Sequence, residues 1–323
     1  MILWVVGVLG VCVVAFGATY ALTPWPRALL LRHGFDEDGD RNGQKLAPYV
    51  PPGVASILDQ PYDADNSTVA LDVYHPEGTQ PRTTVVWVHG GGWLAGSKAQ
   101  NANYARILAA RGFTVAMIGY SLAPGSTYPT PVRQVNTALG YLVRNAGRLG
   151  VDPSRIVLAG DSAGTQIALQ VGTLIVQPSY ARTMGIQPTI TRDQLAGLLF
   201  YCGLYRMEQR DQEIGLLATE FWAYSGTRNF LRDPYFATGW VMDRLNGDYP
   251  PAFISVGNAD DLKPQSIELA DRLEKNGVRV DRLIFPEDHT PRLQHEYQFD
   301  IAQPEAWQAL DRSVDFLRSL ERR

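Results

Sequence analysis

A serine between two glycines, in the run Gly160-Asp161-Ser162-Ala163-Gly164, carries the strongest chemical signal in the chain. Residues 156–159 before it are uniformly apolar and read as a buried strand. After it, Ile167, Ala168, Val171, Leu174 and Ile175 recur at helical spacing. Strand, G-x-S-x-G, helix is the arrangement of a nucleophile elbow, a sharp turn that projects the serine hydroxyl into the open. The flanking glycines let two backbones approach without a Cβ clash, and the free N–H groups of the helix N-terminus face the reacting centre. Ser162 is the candidate nucleophile.

A second run, His89-Gly90-Gly91-Gly92-Trp93, follows a β-branched apolar stretch ending at Val88. Attack by a serine on an acyl carbon builds an oxyanion, which needs donors. Consecutive glycines let backbone N–H groups line such a hole where side chains would block them. Residues 91–98 also have the glycine spacing of a phosphate loop, but lysine and hydroxyl are transposed relative to that motif, which argues against nucleotide binding. The five histidines show no zinc-ligand spacing. Neither a metal nor another cofactor is expected.

The elements that position these runs alternate between strand and helix. Residues 55–62, 68–74, 83–88, 113–119, 195–200, 252–256 and 278–285 read as strands beside the elbow strand. Residues 99–111, 131–149, 264–276 and 304–320 read as helices, with Trp307, Leu310, Val314 and Leu317 on one face of the last. This alternation predicts an α/β fold, a mostly parallel sheet with helices on both faces. Two stretches fall outside it, 177–192 and 203–250. The second is long and aromatic and reads as a lid insertion over the site. The domain plan is an apolar segment over 1–26, a linker rich in Asp, Gly and Pro over 27–54, and a catalytic domain over 55–323. The net charge of −4 gives no electrostatic case for nucleic acid, and two cysteines exclude a disulfide framework.

HGGGW, the Tyr120-Ser121-Leu122-Ala123-Pro124 segment and GDSAG together resemble the hormone-sensitive-lipase-like carboxylesterases of the α/β-hydrolase superfamily. The likeness runs from about residue 55 to the C-terminus. It implies an α/β-hydrolase fold with a cap, Ser162 as nucleophile, and oxyanion donors at the N–H groups of Gly91, Gly92 and Ala163. It also implies the order serine, aspartate, histidine. The family's G-x-x-D-P-L stretch aligns Asp260 with the acid, and Asp261 stands where the proline would be, so Asp261 is the alternative. For the base, His295 with Tyr297 fits the family's H-x-F pattern, whereas His289 fits the usual short distance after the last strand. His295 is favoured, with His289 expected nearer the surface. The implied activity is hydrolysis of short- to medium-chain carboxylic esters through an acyl-enzyme. An amidase or formamidase, a membrane-associated lipase, and a non-catalytic ligand-binding protein of the same fold are the alternatives.

Residues 1–22 carry no charged side chain and are long enough to cross a bilayer as one helix, ended by Pro24-Trp25-Pro26-Arg27. A membrane anchor is the expectation and a cleaved signal peptide the alternative. Deleting residues 1–26 is expected to move the protein from the membrane to the soluble fraction with activity on soluble esters retained. Fractionation and assay of the truncated protein check both halves of that expectation, and failure of the truncated chain to fold would assign the segment to the core.

Overall fold

Val85, Val86, Trp87 and Val88 are buried in succession, so the strand they form is covered on both faces. That is the pattern of a parallel sheet sandwiched between helices. The computed structural model describes residues 4, 12, 15, 17–78, 80–207 and 215–321. It contains an eight-stranded sheet of order β1-β2-β4-β3-β5-β6-β7-β8. The strands are β1 (Val54–Pro61), β2 (Ala70–Pro76), β3 (Arg82–Val88), β4 (Thr114–Ile118), β5 (Val151–Asp161), β6 (Leu195–Tyr201), β7 (Ala252–Val256) and β8 (Val280–Ile284). The pairs β1–β2 and β2–β4 are antiparallel, and every other neighbouring pair is parallel.

The helices are α1 (Trp25–Leu46), α2 (Ala102–Ala109), α3 (Thr130–Arg144), α4 (Ala146–Leu149), α5 (Ala163–Val176), α6 (Pro178–Met184), α7 (Leu216–Ser225), α8 (Lys263–Lys275) and α9 (Pro304–Leu320). Period-two alternation divides each central strand between two apolar clusters. Val86, Val88, Ile156 and Leu158 join the cluster that includes α3 and α5. Val85, Trp87, Val157 and Ala159 join the one that includes α2 and α9. The central strands end on one line, where Val88 pairs with Gly160 and Asp161 with Tyr201. This is the carboxyl edge of the sheet, where open α/β folds build their sites.

The stretch read as a linker, 27–54, is instead mostly helical: α1 covers much of it. Two of its glycines, Gly39 and Gly43, are packing positions against Gln100. A Cβ on Gly43 would fall 2.5 Å from the carbonyl oxygen of Gln100. Polar side chains anchor the helix. Arg32 donates to the carbonyl oxygens of Leu94 (2.6 Å) and Ala123 (2.8 Å), and Asp36 accepts the N–H of Gly96 at 3.0 Å. The helix is therefore clamped onto the glycine-rich loop. The segment expected to anchor the chain in a membrane falls largely outside the described residues, among which no helix is long and apolar enough to cross a membrane.

The stretch 203–250 contains α7 followed by short 3₁₀ turns. Its aromatics close on Trp93 of the glycine-rich loop. Tyr224 stacks on Trp93 at 4.7 Å between ring centroids, and Phe221 meets Trp240 edge-on at 5.5 Å. Such pairs add about 1 kcal/mol each beyond the area they bury.

Arg32→Ala removes two hydrogen bonds from a charged donor. It is expected to lower unfolding free energy by about 2 kcal/mol, the scale of bonds to charged groups. A urea titration of the variant beside the parent protein measures this.

Candidate active site

The elbow is built by close approach. Ser162 sits between β5 and α5 with φ +49°, a left-handed conformation that costs a non-glycine residue on the order of 1–3 kcal/mol. Gly164 makes that turn possible. A Cβ there would lie 2.1 Å from the carbonyl oxygen of Val88 and 2.5 Å from that of His89, so only glycine lets α5 start against β3.

The glycine-rich loop leaves β3 beside the elbow, and Asp161 ties the two together. Its Oδ1 accepts the indole N–H of Trp87 at 2.6 Å and its Oδ2 the N–H of Gly90 at 2.8 Å. Burial, then the adjacent Glu296 carboxyl, holds Asp161 well above the usual carboxylate range. That is the behaviour of two carboxyl groups that cannot both ionise. Glu296 itself takes a left-handed backbone, φ +60°.

Gly91 and Gly92 follow with φ of +93° and +58°. No loop or turn hydrogen bond among the described residues uses the N–H of Gly91, Gly92 or Ala163. The rest of the loop is held from behind. Tyr120 donates to the carbonyl oxygen of His89 at 2.8 Å and stacks on its ring at 4.2 Å. Ala123 N–H donates to the carbonyl oxygen of Trp93 at 2.9 Å. Burial pushes His89 down to about 4, so it is a neutral packing residue. Thus the Y-x-L-A-P segment braces the glycine loop.

His295 stands over the elbow. Its Nε2 is 2.9 Å from Ser162 Oγ, and its Nδ1 is 2.9 Å from Asp260 Oδ2. Asp260 is buried just past β7, where its Oδ1 also accepts the N–H of Leu262 at 2.8 Å. Asp261 is exposed and takes no part in this chain of contacts. Burial alone would lower the His295 pKa, but Cys202 and the Asp260 carboxylate outweigh it and the net direction is up. The buried Cys202 thiol, within 4.8 Å of the His295 and Asp260 polar atoms, is itself pushed up to about 11 by burial. The carboxylate of Glu296 lies 3.9 Å from His295 Nε2.

His289 is elsewhere, bonded through Nε2 to Glu305 at 2.9 Å and packed on Phe285 at 4.8 Å. It was expected nearer the surface than His295, and the reverse holds. The side chain of His289 is 24% accessible and that of His295 41%. Glu305, in the first turn of α9, draws His289 inward. His295 instead stays exposed above Ser162.

Three residues here were not singled out from the sequence. Asp161 and Glu296 were passed over because each adjoins a more obvious candidate. Glu220 had a signal: it is the one charged residue in the apolar α7. Burial raises it to about 7, opposed by the charge of His295.

Asp161→Ala leaves two buried donors without an acceptor and is expected to cost about 3 kcal/mol, since each orphaned group costs 1–3 kcal/mol. It should also loosen the glycine loop and lower kcat more than it raises KM. Chemical denaturation and steady-state kinetics on the same preparation check the pair of effects.

The sequence profile of the alpha/beta hydrolase fold family matches residues 85–289. Carboxylesterase NlhH of Mycobacterium tuberculosis is 29% identical over 271 residues, 77% of this chain and 78% of its own. An acetyl esterase of Salmonella paratyphi B is 26% identical over 68% of this chain and 67% of its own length. An alpha/beta hydrolase of Acanthamoeba polyphaga mimivirus is matched over 62% of its length, and human arylacetamide deacetylase-like 3 over 51%. The chain thus spans less than two thirds of those two relatives. Among solved structures, esterase B of Lactobacillus rhamnosis superposes with a TM-score of 0.78 at 22% identity, covering 92% of this chain and 96% of that one. An esterase of Pyrobaculum calidifontis gives 0.74 at 20% identity, over 93% and 95%. These two show the fold. With the profile match and the esterase relatives, they identify the chain as a member of the hormone-sensitive-lipase-like carboxylesterase family of the α/β-hydrolase superfamily.

Proposed function

We propose that the protein is a serine carboxylesterase in which Ser162, His295 and Asp260 form the triad. The observation that carries this reading is the unbroken path from Ser162 Oγ through both nitrogens of His295 to Asp260 Oδ2, with 2.9 Å at each junction. His295 Nε2 takes the serine proton as Oγ attacks the ester carbonyl. Asp260 fixes the tautomer that leaves Nε2 free to accept and stabilises the imidazolium that forms. The oxyanion is received by the N–H groups of Gly91, Gly92 and Ala163, which have no loop or turn partner among the described residues. His295 then hands its proton to the departing alkoxide, and water repeats the sequence on the acyl-enzyme.

The aromatic floor around Trp93, Phe221 and Trp240 supports esters with short to medium acyl chains, because bulky rings stand directly behind the glycine loop. Association with a membrane through residues 1–26 remains part of this reading. Leu22 and Leu30 are 76% and 69% exposed, which supports this reading.

Ser162→Ala is expected to abolish turnover of p-nitrophenyl esters while leaving the fold intact. His295→Ala should lose several orders of magnitude in kcat, the scale of removing a triad base, and His289→Ala should keep most activity. Steady-state assay of the three variants distinguishes the roles. Undiminished turnover in Ser162→Ala, or a larger loss in His289→Ala than in His295→Ala, would overturn the assignment.

A further inference from the structure

Glu220 is only 4% exposed, yet it makes no hydrogen bond to any described residue. The mechanism above gives it no task. It reaches the site from α7 and lies against the glycine loop. A Cβ built on Gly92 would fall 2.6 Å from its Oε1 and 2.6 Å from its Cδ. The carboxyl therefore covers the face of Gly92 that a side chain would otherwise occupy. Its nearest chain neighbour, Phe221, packs on Trp93 at 5.7 Å, so the wall behind it is apolar.

We propose that Glu220 serves as a neutral carboxylic acid that donates a hydrogen bond to the carbonyl oxygen of the bound ester and to the oxyanion it becomes. The inference rests on the esterase reading of Ser162 and adds a fourth donor to the three backbone N–H groups. No proton is transferred: the O–H stays on Glu220 and strengthens its bond as negative charge develops on the acceptor.

The choice of the neutral form follows from the surroundings. The Glu220 oxygens are not among the enclosed polar atoms, so a carboxyl with no described protein partner stands open to a ligand on the loop side. Beside a developing oxyanion, an ionised carboxylate repels and a carboxylic acid attracts. Burial favours the acid, which keeps its proton up to about pH 7. The opposing influence is His295, whose positive charge favours the carboxylate. Asp161 and Glu296 flank Gly90, and burial, then the Glu296 carboxyl, holds Asp161 well above the usual carboxylate range. From α1, which packs on α7, Arg32 is committed to the carbonyl oxygens of Leu94 and Ala123. No described cation other than protonated His295 acts on the Glu220 carboxyl.

The test compares wild type, Glu220→Gln and Glu220→Met on p-nitrophenyl acetate from pH 5.5 to 9.5, with fluorophosphonate titration of Ser162 counting assembled sites in each. Wild-type kcat is expected to fall on the alkaline side as Glu220 ionises. Glu220→Met, similar in volume but without a donor, should lose on the order of 100-fold in kcat at pH 6 with little change in KM, the scale of a lost oxyanion donor. Glu220→Gln still donates and should keep more of kcat than the methionine variant. It should also lose the alkaline decline. A glutamine variant with the wild-type pH profile would overturn the inference, even where the methionine variant fails to fold. So would a methionine variant with undiminished kcat. Selective turnover of a choline ester by wild type, lost in Glu220→Gln, would show an ionised Glu220 that binds cations and would equally overturn it. A wild type without any turnover would sink the esterase reading and this inference together. Turnover through Ser162 with both Glu220 variants unchanged would sink this inference alone.

Discussion

The site depends on how closely β3 and β5 bring their ends together. With the carbonyl oxygen of Val88 2.1 Å from where a Gly164 Cβ would stand, helix α5 begins in direct contact with the strand that feeds the glycine loop. The same junction leaves Asp161 buried, and its carboxyl satisfies Trp87 from within β3 and Gly90 just beyond it. One carboxyl thus sets the spacing between Ser162 and the backbone N–H groups proposed to receive an oxyanion. Positional error of 1 Å at such a place is expensive, because donors must meet the oxyanion and not the ground-state carbonyl.

Support for this junction comes from three remote parts of the chain. Tyr120 and Ala123 hold the loop from β4's side, Arg32 and Asp36 clamp it from α1, and Tyr224 and Phe221 press on Trp93 from α7. The loop itself is mostly glycine and has little packing of its own. Its shape is imposed by neighbours, which is the usual way to hold a backbone whose N–H groups must stay unpaired.

The middle of the sheet was legible because β3, β4, β6 and β7 are mostly apolar runs buried along their length. The predicted spans of β7 and of helix α9 coincide with those observed. Ser162 was legible because the elbow compresses strand, turn and helix into one stretch. Helix α1 was not, since its glycines and charges mimic a loop, and their purpose appears only when Gln100 lies against Gly43. The pairing of Asp161 with Glu296, more than 130 residues on, is a contact between ends of different elements that no local pattern encodes. Glu220 is the intermediate case. A lone acid in an apolar helix is visible in the sequence, but its address over Gly92 is set by the fold of an aromatic segment with no regular period. His295 needed the loop beyond β8, where Leu293 and Tyr297 are buried on either side of it in the sequence.

The central claim is that this junction activates one particular serine. The most direct measurement is intact-mass and peptide mass spectrometry after brief exposure to a fluorophosphonate at neutral pH. The account predicts one adduct per chain, on the peptide that carries Ser162, formed much faster than on a free serine. An unmodified chain, or an adduct on any other residue, would contradict it.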